Sequence, residues 1–252
     1  MQPELNIGPL ELKTFGICFA LGFVFAGLVG ARRLRELDLP VDWAYEIIFA
    51  GLAGGFIGAR VDYLIQNWDS SSDDLLGAAF SGSGLVWLGG VIGGAIGVLI
   101  WARWRGFLGL ALLDLCAPLI ALGYAVGRVG CQLSGDGDYG EPSDVPWAMA
   151  YPDGVEPTDV AVHPTPIYET LAMGLIAFGL WQLRDRLRPG LLFALWLVLT
   201  GLERLLVEFV RRNDVAALGL TLPQLVSVGM IAAGVVWLAR APRPWRTSTA
   251  AG

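Results

Sequence analysis

Five arginines of this 252-residue chain sit where a cation is costly. Arg60, Arg128, Arg204, Arg211 and Arg212 fall at or near one end of long apolar segments, whereas the other arginines gather in short clusters between such segments. A guanidinium close to lipid is expensive unless it holds an anion. Its planar fork matches the oxygens of a phosphate or carboxylate with two parallel hydrogen bonds. The chemistry indicated is recognition of a phosphate at headgroup level, with interfacial snorkelling as the bland alternative. Arg204, Glu208 and Arg211 recur at i, i+4 and i+7, which puts them on one helical face. A carboxylate between two guanidiniums there is either a structural clamp or an orienter of arginines aimed at an anion.

Two motifs add polar groups at the same level. Gly127-Arg128-Val129-Gly130-Cys131-Gln132-Leu133-Ser134-Gly135-Asp136-Gly137-Asp138-Tyr139-Gly140 is rich in glycine, which lets backbone turn sharply and present N–H groups to an anion. His163-Pro164-Thr165-Pro166-Ile167-Tyr168-Glu169 opens a segment with prolines suited to a first helical turn. His163 is the only histidine in the chain, the residue type most suited to exchanging a proton under physiological conditions.

The elements that must carry these groups are membrane helices. The chain is 55% hydrophobic and 16% charged, with a mean hydropathy of +0.58, which excludes an ordinary soluble domain. Spans are expected at Phe15–Gly30, Val41–Ile65, Leu85–Trp101, Phe107–Val126, Ile167–Leu183, Leu191–Phe209 and Leu222–Leu238. Arginine clusters follow every second one: Arg32, Arg33 and Arg35; Arg103 and Arg105; Arg184, Arg186 and Arg188; Arg240, Arg243 and Arg246. Acidic connections alternate with them, at Asp69, Asp73 and Asp74 and from Asp136 to Asp159. Cations kept inside orient the chain with its N-terminus outside and its C-terminus inside. At about 1.5 Å per residue, Arg60 then lies roughly 28 Å above Val41 and Arg204 roughly 20 Å above Leu191, both in the outer half. Arg128 is expected to end the fourth helix at its outer mouth.

The expected fold class is therefore all-α, with seven transmembrane helices and a periplasmic loop region. Residues 1–252 form one integral membrane domain, with the loop segment at about 127–164. The opening MQPELNIGPLEL lacks the basic stretch of a cleavable signal. A nucleic-acid partner is excluded because no basic strip lies outside the topological clusters. Cys18, Cys116 and Cys131 show neither a zinc spacing nor a disulfide framework, so no metal or cofactor is expected. Glycine pairs such as Gly54-Gly55, Gly89-Gly90 and Gly93-Gly94 suit close helix contacts in lipid.

Taken in order along the chain, these motifs resemble the bacterial prolipoprotein diacylglyceryl transferase family. Phe15-Gly16 with Leu21-Gly22-Phe23, Gly58-Ala59-Arg60 with Tyr63, and Leu88-Gly89-Gly90 are similar to its first three helices. Asp114 and Ala117-Pro118-Leu119 lead into the signature at Gly127-Arg128-Val129-Gly130. His163-Pro164 with Tyr168-Glu169, then Arg204, Glu208-Phe209, Arg211, Asp214 and Thr221-Leu222-Pro223-Gln224, complete it. The chain departs from the pattern at several points. Leu88 replaces a histidine, Phe15 a tyrosine, Cys131 and Ser134 asparagines, Asp136 a glutamate and Val162 an arginine. One additional residue precedes Gly140.

The resemblance implies an enzyme of the bacterial inner membrane that moves a diacylglyceryl group from phosphatidylglycerol to the lipobox cysteine of a secreted preprotein. Its partners would be that lipid, the prolipoprotein signal peptide and surrounding membrane lipids. Catalysis would rest on Arg128, Arg204, Asp136, His163 and Glu169, and headgroup binding on Arg60, Arg128, Arg204, Glu208, Tyr63, Tyr168 and Ser134. Developing phosphate charge would be met by the prepositioned guanidiniums. A base must take the thiol proton. The alternative, favoured by Leu88, is a paralogue that binds phospholipid in the same cavity without transferring it. A small-solute transporter fits less well, because no chain of polar groups reaches the inner face.

Overall fold

In the computed structural model the residues described are 1–8, 10–68 and 86–241. The acidic connection at Asp69, Asp73 and Asp74, the start of the third span at Leu85, and Arg243 and Arg246 lie outside them. Seven helices carry the described chain: α1 (Thr14–Glu36), α2 (Trp43–Gln66), α3 (Trp87–Arg105), α4 (Leu110–Ser134), α5 (Thr165–Leu183), α6 (Leu191–Glu208) and α7 (Leu222–Arg240). Three two-stranded antiparallel hairpins accompany them. These are β1 (Glu4–Ile7) with β2 (Leu10–Lys13), β3 (Met149–Tyr151) with β4 (Thr158–Val162), and β5 (Val215–Ala217) with β6 (Leu220–Thr221). Helices α1, α2, α4 and α7 are long and apolar enough to cross a membrane.

The helices are inverted relative to a water-soluble protein. Leu171, Leu175 and Phe178 recur at helical spacing on α5 and are 62%, 72% and 62% exposed, while Glu169 on the same helix is fully buried. Apolar side chains facing outward around buried charge are the arrangement that lipid solvent demands.

The chain divides into two compact units, Met1–Ala26 with Leu113–Gly252, and Gly27–Leu112. In the second unit, α2 and α3 meet backbone to backbone. A Cβ added to Gly58 would stand 2.2 Å from the Gly89 carbonyl oxygen, and one on Gly54 2.3 Å from that of Gly93. Only glycine permits such proximity, and dispersion at this range replaces the hydrophobic force that lipid removes. At the far end of the pair, Glu46 accepts hydrogen bonds from Trp101 Nε1 at 2.7 Å and Arg105 Nε at 2.8 Å.

In the first unit, Ala117, Ala121 and Ala125 of α4 pack with Met173, Ala177 and Leu180 of α5 and with Leu191 and Leu192 of α6. Asp114 explains its place in the apolar α4. Its carboxylate accepts from the backbone N–H groups of Gly190 (2.6 Å) and Phe193 (3.0 Å), capping the start of α6. Gly201 of α6 approaches Ser227 of α7, with 2.9 Å left between a Cβ and the Ser227 carbonyl oxygen. At the other end, Thr221 and Gln224 form a reciprocal capping box that starts α7.

One boundary differs in a way that matters. α4 continues to Ser134, eight residues past the expected end at Val126, so Arg128 lies within the helix instead of ending it. Gly127 and Gly130 are therefore helical, and the sharp turns fall later, at Gly135 (φ 59°) and Gly137 (φ 90°). Gly130 serves packing, since a Cβ there would lie 2.8 Å from Cys18 Cβ on α1.

Candidate active site

Glu169 is the hub of the first unit. It belongs to the first turns of α5, begun by Thr165-Pro166, and its carboxylate is fully buried. Arg204 Nη1 of α6 donates to Oε1 at 2.8 Å, and Arg128 Nε of α4 lies 2.8 Å from Oε2. Arg211 Nη1, just beyond α6, stands 3.4 Å from both oxygens. Tyr124, one turn before Arg128 on α4, donates its hydroxyl to Oε1 at 3.1 Å and accepts from Arg128 Nη2 at 2.9 Å. Three guanidiniums from three chain segments thus converge on one carboxylate.

Two further carboxylates balance them. Asp138 bridges Arg128 and Arg211, one oxygen to each. Glu208 lies 3.0 Å from Arg204 Nη2 through Oε2, while its Oε1 accepts from Thr221 Oγ1 at 2.6 Å and Asn213 Nδ2 at 2.7 Å. The Oε2 contact is an ion pair by distance but lacks hydrogen-bond alignment. Glu169 and Glu208 are inaccessible, whereas the Asp138 side chain keeps 33% of its surface. Asp138 is thus the solvent-accessible member of the set. Burial opposes its ionisation, but the charges of Arg128 and Arg211 outweigh that and hold its carboxyl below the usual range.

Several expected residues lie elsewhere. Arg211 leaves the helical face it was expected to share, because α6 stops at Glu208; Glu169, not Glu208, stands between the guanidiniums. Asp136 does not join the arginines among the described residues. Its Oδ1 accepts the Asp138 N–H at 3.3 Å and shapes the turn that delivers Asp138. Ser134 is buried and donates to the Cys131 carbonyl at 3.3 Å, closing the end of α4. Cys131 Sγ is 3.6 Å from Arg128 Nη1 and within 4.8 Å of the Asp136 and Asp138 carboxylates. Arg60 and Tyr63 belong to α2 in the other unit, where the Arg60 guanidinium lies 5.2 Å from the Tyr63 ring centroid. Arg212 stacks over Tyr139 at 5.3 Å.

His163 and Tyr168 form a separate polar chain with Trp147. Trp147 Nε1 donates to Tyr168 Oη at 2.6 Å, and Tyr168 Oη lies 3.2 Å from His163 Nδ1. Indole can only donate, so Tyr168 Oη accepts from Trp147, while the direction of the contact with His163 follows the imidazole tautomer. Asp138 and Tyr124 were not anticipated as site residues.

Helices with outward apolar faces around a buried arginine–carboxylate cluster define a helical membrane protein. The chain belongs to the prolipoprotein diacylglyceryl transferase family, whose model matches residues 3–240. A phosphatidylglycerol–prolipoprotein diacylglyceryl transferase of Chromohalobacter salexigens is 35% identical over 250 residues, covering 94% of this chain and 92% of the relative. A protein of the same name from Dehalococcoides mccartyi is 37% identical over 235 residues, covering 91% and 89%. One from Clostridium tetani is 30% identical over 241 residues, covering 93% and 96%. The chain is thus a transferase by family.

Proposed function

We propose that this protein transfers a diacylglyceryl group from phosphatidylglycerol to the lipobox cysteine of a prolipoprotein. The thiol sulfur attacks the glyceryl carbon, the carbon–oxygen bond breaks, and a glycerol phosphate leaves. The observation that carries this reading is the convergence of Arg128, Arg204 and Arg211 on Glu169. Formal charge within the cluster is balanced by Asp138, Glu169 and Glu208. A lipid phosphate therefore enters by exchange: it takes the place of Asp138, the only partly exposed carboxylate, between Arg128 and Arg211. Glu169 and Glu208 stay and hold the guanidiniums in position, so little reorganisation is needed as charge grows on the leaving oxygen. His163 and Tyr168 border the same loop and position the acceptor or its proton.

The finer topology follows from this reading: seven spans, the N-terminus and the 127–164 loop on the periplasmic side, the C-terminus in the cytoplasm of a bacterial cell, and one integral inner-membrane domain throughout. Arg128 and Arg204 then face the side where a secreted preprotein presents its cysteine. A second reading, a phospholipid-binding paralogue without transfer, draws on Leu88, which stands where the family carries histidine and is 42% exposed. Mass spectrometry of a lipobox peptide incubated with the purified protein and phosphatidylglycerol separates the two. A gain of one diacylglyceryl unit is expected. No gain, with phospholipid retained by the protein, would leave the second reading standing.

A further inference from the structure

Four of the five buried side-chain polar atoms without a hydrogen-bond partner among the described residues belong to three residues of α6: Trp196 Nε1, Thr200 Oγ1 and both oxygens of Glu203. Their spacing is i, i+4 and i+7, one face of the helix. The opposite face holds Ala194, Val198 and Gly201, which touch α7. The polar face therefore points to the interior side shared with α4 and α5. Glu203 is 7% exposed. The groups that act on it electrostatically are Glu169 from α5, Arg128 and Tyr124 from α4, Arg204 on its own helix and Arg211 beyond it. Every cation among these already contacts another carboxylate: Asp138, Glu169 or Glu208. A second ionised carboxylate beside Glu169, without its own partner, would be very costly in this interior. Glu203 adjoins Arg204 of the cluster in sequence, and neither of its carboxyl oxygens has a hydrogen-bond partner among the described residues.

We propose that Glu203 is the proton-holding group of the transfer, and that the Thr200 hydroxyl and the Trp196 indole N–H on the same face line its polar surroundings. The proposal rests on the function given above. As the sulfur–carbon bond forms and the carbon–oxygen bond breaks, the leaving phosphate oxygen keeps the electron pair and takes the proton of Glu203. Glu203 recovers the proton released by the thiol. One thiol and one phosphodiester monoanion become a thioether and a phosphate monoester monoanion, with no net proton change.

The test uses the purified full chain with phosphatidylglycerol and a lipobox peptide, comparing wild type with Glu203→Gln and Glu203→Asp. Glu203→Gln keeps size and polarity but carries no exchangeable acid proton. Its turnover is expected to fall about 100-fold, the scale of general acid–base assistance, with KM within about twofold. The decline of wild-type rate at high pH, where an acid is lost, is expected to be absent from this variant. Glu203→Asp is expected to keep the alkaline decline. An active wild type with an equally active Glu203→Gln and superimposable pH profiles would overturn the relay while leaving the transferase reading intact. An inert wild type would sink that reading and the relay together. Should Glu203→Gln not fold, infrared spectroscopy of the wild type decides. The carbonyl-stretch band of a protonated carboxyl is expected in the membrane-embedded protein, and its absence would overturn the proposal.

Discussion

Arg211 donates from Nη2 to Oδ1 of Asp138, 73 residues earlier in the chain. The other Asp138 oxygen meets Arg128, so one loop carboxylate spans two guanidiniums much as two phosphate oxygens would. The contact ties the glycine-rich loop to the end of α6 and fills the place assigned here to the lipid phosphate.

Asp138→Asn removes the resident anion. Binding of glycerol phosphate, read by calorimetry in detergent, should tighten by about tenfold, equivalent to roughly 1.4 kcal/mol. Unchanged or weaker binding would mean that Asp138 orients the arginines without competing for them.

The same residue sets an acid dependence. Its folded pKa is depressed below the unfolded value, so its stabilising effect is full above the unfolded pKa and is lost as pH falls through the folded one. Wild type should lose thermal stability below about pH 4 more steeply than Asp138→Asn, which starts lower at neutral pH. Parallel melting curves across that range would show that the bridge contributes nothing.

Glu169→Gln leaves three guanidiniums with one fewer anion in a closed interior. Breaking such a buried set costs about 3–5 kcal/mol, so a strong drop in melting temperature is expected together with loss of turnover. Glu36→Gln, which loses pairs with exposed Arg32 and buried Arg33 outside this cluster, should lower the melting temperature less than Glu169→Gln.

The glycine contacts predict a sharp positional contrast. Gly58→Ala and Gly54→Ala press a methyl into a facing carbonyl and should destabilise the α2–α3 pair by about 1–3 kcal/mol. Gly174→Ala and Gly179→Ala meet nothing within 4 Å and should be neutral or mildly stabilising. Detergent melting of the four variants checks this directly.

His163 is the sole histidine, so its ring nitrogens give an unambiguous NMR signature. Tyr168 Oη lies beside Nδ1, so Tyr168→Phe should shift the Nδ1 resonance. A Nδ1 resonance unmoved by the substitution would contradict the Trp147–Tyr168–His163 chain.

Much of this was legible in the sequence. Arg128 and Arg204 stand out because a charged group near apolar runs is costly, and order along the chain linked them, together with the motif that carries Glu169, to one family. Asp138 was not legible: which carboxylate of the loop faces the arginines is decided by the turns at Gly135 and Gly137. Tyr124 reads as one more aromatic in an apolar run. The extension of α4 through Gly127 and Gly130 was hidden because glycine suggests a turn in water but close packing in a membrane helix. Arg211 looked like a residue of the Arg204 face, because the sequence does not mark the end of α6 at Glu208.

The central claim is best tested by an experimental structure with glycerol phosphate bound. The phosphate is predicted to lie within hydrogen-bond distance of Arg128 and Arg211, with Arg204 still paired to Glu169 and Asp138 displaced toward solvent. A phosphate bound away from these guanidiniums, with Asp138 still bridging Arg128 and Arg211, would contradict the account.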